Sequence, residues 1–205
     1  KPAAVVDRGR VKSARCMQDG ACFTLWRLEH EVAGCSHAHV DVLVPRRGAW
    51  MHVTARFNKD NIWDPEGLYL AFPFATQGGT WRLERAGAVI EPGRDQLPLS
   101  CCDYYMLQSG AALGGGRAGV AIAMRDTPLV HVGGLKLWDY TKTNEPTGPL
   151  YSWLTNNKWE TNFKASCGGF YEFRYTIEVG PQVADPKAAI AACNRWCNPP
   201  RTIRL

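Results

Sequence analysis

The sequence predicts an all-β fold, a large antiparallel β-sandwich with one short C-terminal helix. Three observations predict it. Apolar and polar residues alternate with a period of two over several long segments, glycine- and proline-centred turn signals separate those segments, and one capped helical pattern falls near the end. A chain of 205 residues suits a single sandwich of this kind, and 45% hydrophobic residues are enough for a real core.

In His39-Val40-Asp41-Val42-Leu43-Val44 the valines fall on one face of a strand. After the turn Pro45-Arg46-Arg47-Gly48, Met51, Val53, Ala55 and Phe57 alternate with His52, Thr54 and Arg56, so the two runs predict a β-hairpin with one wet face. Leu68, Leu70, Phe72 and Phe74 share a face of the next strand, which Pro73 ends or bulges. The clearest strand comes late, where Tyr171, Phe173, Tyr175, Ile177 and Val179 alternate with Glu172, Arg174, Thr176 and Glu178. Turn signals recur at Asp19-Gly20, Gly78-Gly79, Pro92-Gly93, Gly114-Gly115-Gly116, Gly133-Gly134 and Gly168-Gly169. For the helix, Asp185 is the cap, Pro186 suits the first position, and Ile190, Cys193 and Cys197 form the apolar stripe before Asn198-Pro199-Pro200 stops it. Residues 1–182 are therefore expected to form the sandwich domain, and 183–205 the helix and the start of a following element. Arg201-Thr202-Ile203-Arg204-Leu205 reads as an element beginning, so the chain is expected to be an excerpt of a longer protein.

Composition narrows the function. Lys+Arg exceeds Asp+Glu by 24 to 19, but the basic residues are scattered, which argues against a nucleic-acid partner. No apolar run approaches the roughly 18 residues that would cross a bilayer. The N-terminus opens no secretory hydrophobic region, leaving a mature, a cytosolic or an excised chain. Eight cysteines without a C-x-x-C pair predict buried thiols or disulfides rather than a metal clamp, and with the mild basicity they lean toward an exported compartment.

Several motifs have plainer readings. Gly114, Gly116 and Gly119 match a dinucleotide-binding spacing, but the residues that follow, Val120-Ala121-Ile122-Ala123-Met124, predict a strand, so a hairpin turn is expected. His37, His39 and Asp41 would project together from one strand and could ligate a metal; with valines filling the other face, a solvated polar face and no metal is the expectation. A glycosidase needs two positioned carboxylates. Asp64, Glu66, Asp95, Asp103 and Glu160 lie near loops, yet spacing alone pairs none of them. In Asn156-Asn157-Lys158-Trp159-Glu160-Thr161-Asn162, an aromatic ring, amides and a carboxylate fit contact with a sugar, as they equally fit a polar loop with an inward tryptophan.

The stretch from Tyr151 to Phe163, with Phe170-Tyr171-Glu172-Phe173-Arg174-Tyr175, resembles the late region of bacterial-type members of glycoside hydrolase family 38, the α-mannosidases and their relatives. Leu68 to Phe74, Glu91 to Cys101, Asp126-Thr127-Pro128-Leu129-Val130 and the Asp185-Pro186 helix agree in order, covering roughly residues 60 to 197. Lys158 stands where many relatives carry histidine, and Cys101-Cys102 and the Cys193, Trp196, Cys197 set depart from the family pattern. The resemblance implies a sandwich of the supersandwich type that follows a catalytic barrel. It places the zinc ion and the aspartate nucleophile on that barrel, so no catalytic residue and no metal are expected on this chain. It implies Asn156, Asn157, Trp159, Thr161 and Asn162 as sugar contacts, with Arg94, Asp95 and Gln96 behind them. The implied partners are the N-terminal catalytic domain of the same protein and a mannose-type carbohydrate. An autonomous carbohydrate-binding module and a structural or interaction domain remain the alternatives.

Overall fold

A computed structural model describes residues 7–76, 78–97, 100–102, 104–133, 148–157 and 164–199. Among them run thirteen strands: β1 (Arg10–Asp19), β2 (Phe23–Glu31), β3 (Cys35–Pro45), β4 (Trp50–Lys59), β5 (Gly67–Phe72), β6 (Thr80–Arg85), β7 (Ala88–Ile90), β8 (Tyr105–Met106), β9 (Gly110–Gly114), β10 (Gly119–Met124), β11 (Leu129–Val132), β12 (Leu150–Asn156) and β13 (Gly169–Gly180). One α-helix follows, α1 (Pro186–Cys197). Nine strands form a large sheet in the order β1-β2-β3-β4-β13-β10-β9-β6-β7, and four form a small one, β5-β12-β11-β8. Neighbouring strands are antiparallel.

The predicted hairpin is β3–β4, paired Val42 to Val53 and Val40 to Ala55. The late amphipathic strand is β13, whose Phe173, Tyr175 and Ile177 enter the core. β5 stops at Phe72, before Pro73, as a missing amide donor requires. The glycine run at 114–116 joins β9 to β10 as a hairpin, with positive φ at Gly115 and Gly116.

The main core lies between the sheets. Val53, Phe57, Ile122, Phe173, Tyr175 and Ile177 from the large sheet meet Phe72, Tyr105, Val130, Val132 and Leu150 from the small one. The buried hydroxyls inside it satisfy one another: Thr127 and Ser152 are 2.7 Å apart, and Ser152 and the Tyr175 hydroxyl 3.0 Å.

On the opposite face of the large sheet α1 covers β9 and β10, packing Ala189, Ile190, Ala192 and Cys193 onto Ala112, Ala121 and Ala123. Alanines on the sheet let the helix approach closely. The Asp185 carboxylate accepts from the Ala188 N–H at 2.9 Å, closing the helix N-terminus. Asn194 Nδ2 donates to Glu84 Oε1 at 3.1 Å and Trp196 Nε1 to Glu178 Oε2 at 3.0 Å, tying the last turns to the sheet.

The structure corrects one expectation. His39 and Asp41 do lie on the face away from the valines, but that face is not wet around them: they are 8% and 7% exposed. Long side chains from the flanking strands, Arg27 and Arg56 foremost, fold over the space and exclude water. All eight cysteines are free thiols.

Close approach makes Gly110 irreplaceable. A Cβ there would collide with the Ile122 carbonyl oxygen and lie 2.8 Å from Cys193 Sγ. Gly110→Ala is expected to lower unfolding free energy by about 1–3 kcal/mol through overpacking. Gly20→Ala, with ordinary contacts at 3.4 Å, should stay within about 0.5 kcal/mol of the parent in the same denaturant titration.

Candidate functional site

Period-two geometry gives each sheet an outer face, and both carry unusual chemistry. On the small sheet, Leu68, Leu70 and Leu150 turn inward, so their alternates Tyr69, Tyr151 and Trp153 turn outward with His131 and Tyr104. There the rings assemble. Tyr69 stacks on Trp153 with centroids 5.4 Å apart and planes at 21°. His131 meets Trp153 at 5.0 Å and Tyr69 at 5.3 Å, and Tyr104 closes on Trp153 at 5.9 Å. Gly67 packs closely against this group: a Cβ there would lie 3.0 Å from Trp153 Nε1 and 3.2 Å from the Tyr69 hydroxyl. Trp153 Nε1 is buried with no hydrogen-bond partner among the described residues. Burial also pushes the Tyr69 phenol well above its ordinary pKa, keeping it a neutral donor. Trp153 and His131 are 7% and 1% exposed, so these rings lie packed against one another, and Tyr104, at 37%, is the member open to solvent.

The sequence-derived residues flank this sheet. Asn156 pairs with Gly67 where β12 meets β5. Asn157 follows it into a backbone cage: Nδ2 points at the carbonyls of Ile62, Asp64 and Ala165, each at 3.1 Å, and Oδ1 accepts from the Glu66 N–H at 2.7 Å. Its amide is spent on holding loops together. Trp159, Thr161 and Asn162 lie outside the described residues, as do Asp103 and Glu160. Arg94, Asp95 and Gln96 lie on the far side, beside β8. Gln96 Oε1 accepts from the Gly93 N–H and the Tyr105 hydroxyl, both at 2.8 Å, and Asp95 accepts from the Glu91 N–H at 2.8 Å. Both knit the turn, while the Arg94 guanidinium is held by Glu91 at 2.9 Å and stays open to solvent. Sequence reasoning passed over Tyr69, Tyr104, His131 and Trp153 as site residues. The available signal was parity: Tyr69 and Trp153 occupy the non-core positions of their strands, where a polar residue is the norm.

On the large sheet the outer face carries a ladder of alternating charge. Arg27 on β2 grips Asp41 on β3 with two bonds of 2.7 and 2.8 Å; Arg56 on β4 reaches Asp41 at 2.6 Å and Glu172 on β13 at 2.7 Å. Arg27's hydrogen bonds hold the Asp41 carboxyl below the usual carboxylate range, outweighing burial, which acts the other way. Between this ladder and the α1 side lies a cleft of about 340 Å³, lined by Asp41, His52, Thr54, Arg56, Arg125 and Arg174 among others.

No family model matches the chain, and no curated protein matches it by sequence. Among solved structures, an α-mannosidase from Enterococcus faecalis V583 superposes with a TM-score of 0.62 over 88% of this chain, at 13% identity. The fold is shared with part of that enzyme. The chain spans 24% of its length. A putative aldose 1-epimerase from Escherichia coli K12 matches 82% of this chain and 68% of its own, at 11% identity and TM-score 0.40. A galactose mutarotase related enzyme from Lactobacillus acidophilus matches 82% and 71%, at 8% and 0.38. Neither of those two scores is high enough to equate folds.

Asn157→Ala and Asn157→Asp should each cost about 2–3 kcal/mol, since both strand buried carbonyls without donors; matched thermal melts of the three proteins check this. Asp41 has a depressed folded pKa, so its contribution is complete above the unfolded value of about 3.9 and is lost as pH falls through the lower folded one. Asp41→Asn should cost on the order of 2–3 kcal/mol at pH 7. That is less than a fully buried pair, because Arg27 and Arg56 are 33% and 29% exposed. Guanidinium midpoints taken from pH 7 down to pH 3 should fall less steeply in Asp41→Asn than in the parent.

Proposed function

We propose that this chain is the non-catalytic β-sandwich portion of an α-mannosidase-like retaining glycoside hydrolase, where it supports the catalytic barrel and lines a sugar subsite. The observation that carries the reading is the sandwich shared with 24% of the E. faecalis α-mannosidase over 88% of this chain. The sequence blocks that resemble family 38, from Leu68 to the Asp185-Pro186 helix, support it independently through their order. On this reading the aspartate nucleophile and its zinc ion belong to the N-terminal catalytic domain. This chain contributes recognition: the exposed ring of Tyr104, seated on the packed Tyr69–Trp153 pair, and groups from Asn156, Trp159, Thr161, Asn162 and Arg94. Asn157, Asp95 and Gln96 serve by fixing the loops that present them.

The aromatic group, assembled within one sheet, favours a second reading as an autonomous carbohydrate-binding module. Calorimetric titration with mannose and short α-mannosides separates the two, run beside hydrolysis of a chromogenic α-mannoside with added zinc. The first reading expects weak binding, at least tenfold weaker in Trp159→Ala and Tyr69→Ala, and no turnover. Tight binding by the chain alone would favour the module. Zinc-dependent turnover by this chain would refute both, and absence of binding would remove the sugar subsite from the first.

A further inference from the structure

The other outer face offers a second site of different chemistry. His37 and His39 stand two residues apart on β3, so both imidazoles project from the same side. Glu29 sits directly opposite His39 in the β2–β3 ladder and shares that side. His37 Nε2 lies 2.9 Å from His39 Nδ1, and one ligand atom from each of Glu29, His37 and His39 falls within 4.8 Å of the others. We propose that these three residues bind a divalent transition-metal ion, zinc being the best fit.

Three features of the geometry support the assignment. Zinc bound tetrahedrally at roughly 2.0–2.1 Å holds two ligand nitrogens roughly 3.4 Å apart. The imidazole pair is within about 0.5 Å of that spacing before any metal arrives. Two imidazoles and one carboxylate make a borderline donor set that suits zinc over magnesium or calcium, and they leave a fourth position for water. The exposed His37 provides the route in.

A carboxylate stands behind the site. His39 Nε2 is buried and has no hydrogen-bond partner among the described residues; Asp41 Oδ2 lies 3.9 Å from it. A metal on Nδ1 fixes the proton on Nε2, directed at that carboxylate. At 3.9 Å the two make no hydrogen bond, but the carboxylate's negative charge lies behind the imidazole that would hold the ion. Arg27 and Arg56 clamp Asp41 in place, so the orienting group is itself rigid.

The site rests on its own residues and stands whether or not the chain binds mannosides. The test is titration of the full, reduced chain with zinc by calorimetry and with cobalt by visible absorption. One equivalent of metal should bind, with cobalt giving d–d bands of a nitrogen–oxygen ligand set. Glu29→Gln should weaken binding at least tenfold while leaving the metal-free melting temperature unchanged, since its side chain is not buried; His37→Ala should weaken binding as much but also lower that temperature, because buried His39 loses its imidazole partner. With eight free thiols in the chain, a thiolate-to-cobalt charge-transfer band would assign the ion to cysteine and overturn the proposal. So would the absence of saturable binding, or affinity unchanged in both variants.

Discussion

Unequal sheets impose the constraint on which the rest of this structure depends. Among the described residues nine strands stand on one side of the core and four on the other, so the small sheet covers only part of the large one. The remaining surface of a large sheet must be covered by something other than a second sheet, or be made compatible with water. This chain uses both solutions. The helix covers β9 and β10 through an alanine-lined seam, and the strands β2, β3, β4 and β13 carry charges that alternate from one strand to the next.

That second solution has consequences beyond stability. An arginine laid across its neighbours to reach a carboxylate also desolvates whatever lies under it. Asp41 and His39 become buried polar groups on a face that the alternation pattern marks as wet, and buried polar groups need partners. Asp41 obtains two guanidinium groups; His39 obtains one imidazole and keeps one nitrogen unsatisfied. The beginning of the sheet, β1, is managed differently. It is an edge strand, exposed along both faces, and Arg10, Lys12 and Arg15 make it a poor template for further pairing.

The small sheet shows the converse arrangement, an outer face richer in rings than solvent exposure alone would favour. Tyr69 and Trp153 stack across the β5–β12 pair because they are register partners, and His131 and Tyr104 extend the group across the sheet. The Asn157 cage and the Gln96 bond to Tyr105 hold the backbone on either side of it.

The sequence by itself determined whatever follows from local repetition. Strict alternation marked β13 and the β3–β4 hairpin, Pro73 marked the end of β5, the glycines at 114–116 marked a turn, and Asp185 with Pro186 marked the start of α1. Only the tertiary structure decided what depends on which strands become neighbours. The β1–β2 arm was illegible because it buries neither face fully and so shows no clean period. The role of Asn157 was illegible because its four partners come from two distant loops, and a caged asparagine has the same one-letter code as a ligand-binding one. The meeting of Glu29 with His37 and His39 depends on β2–β3 register, and the burial of His39 on arginines from flanking strands. Periodicity tells which side of a strand a residue takes; it does not tell what the neighbouring strands lay over it.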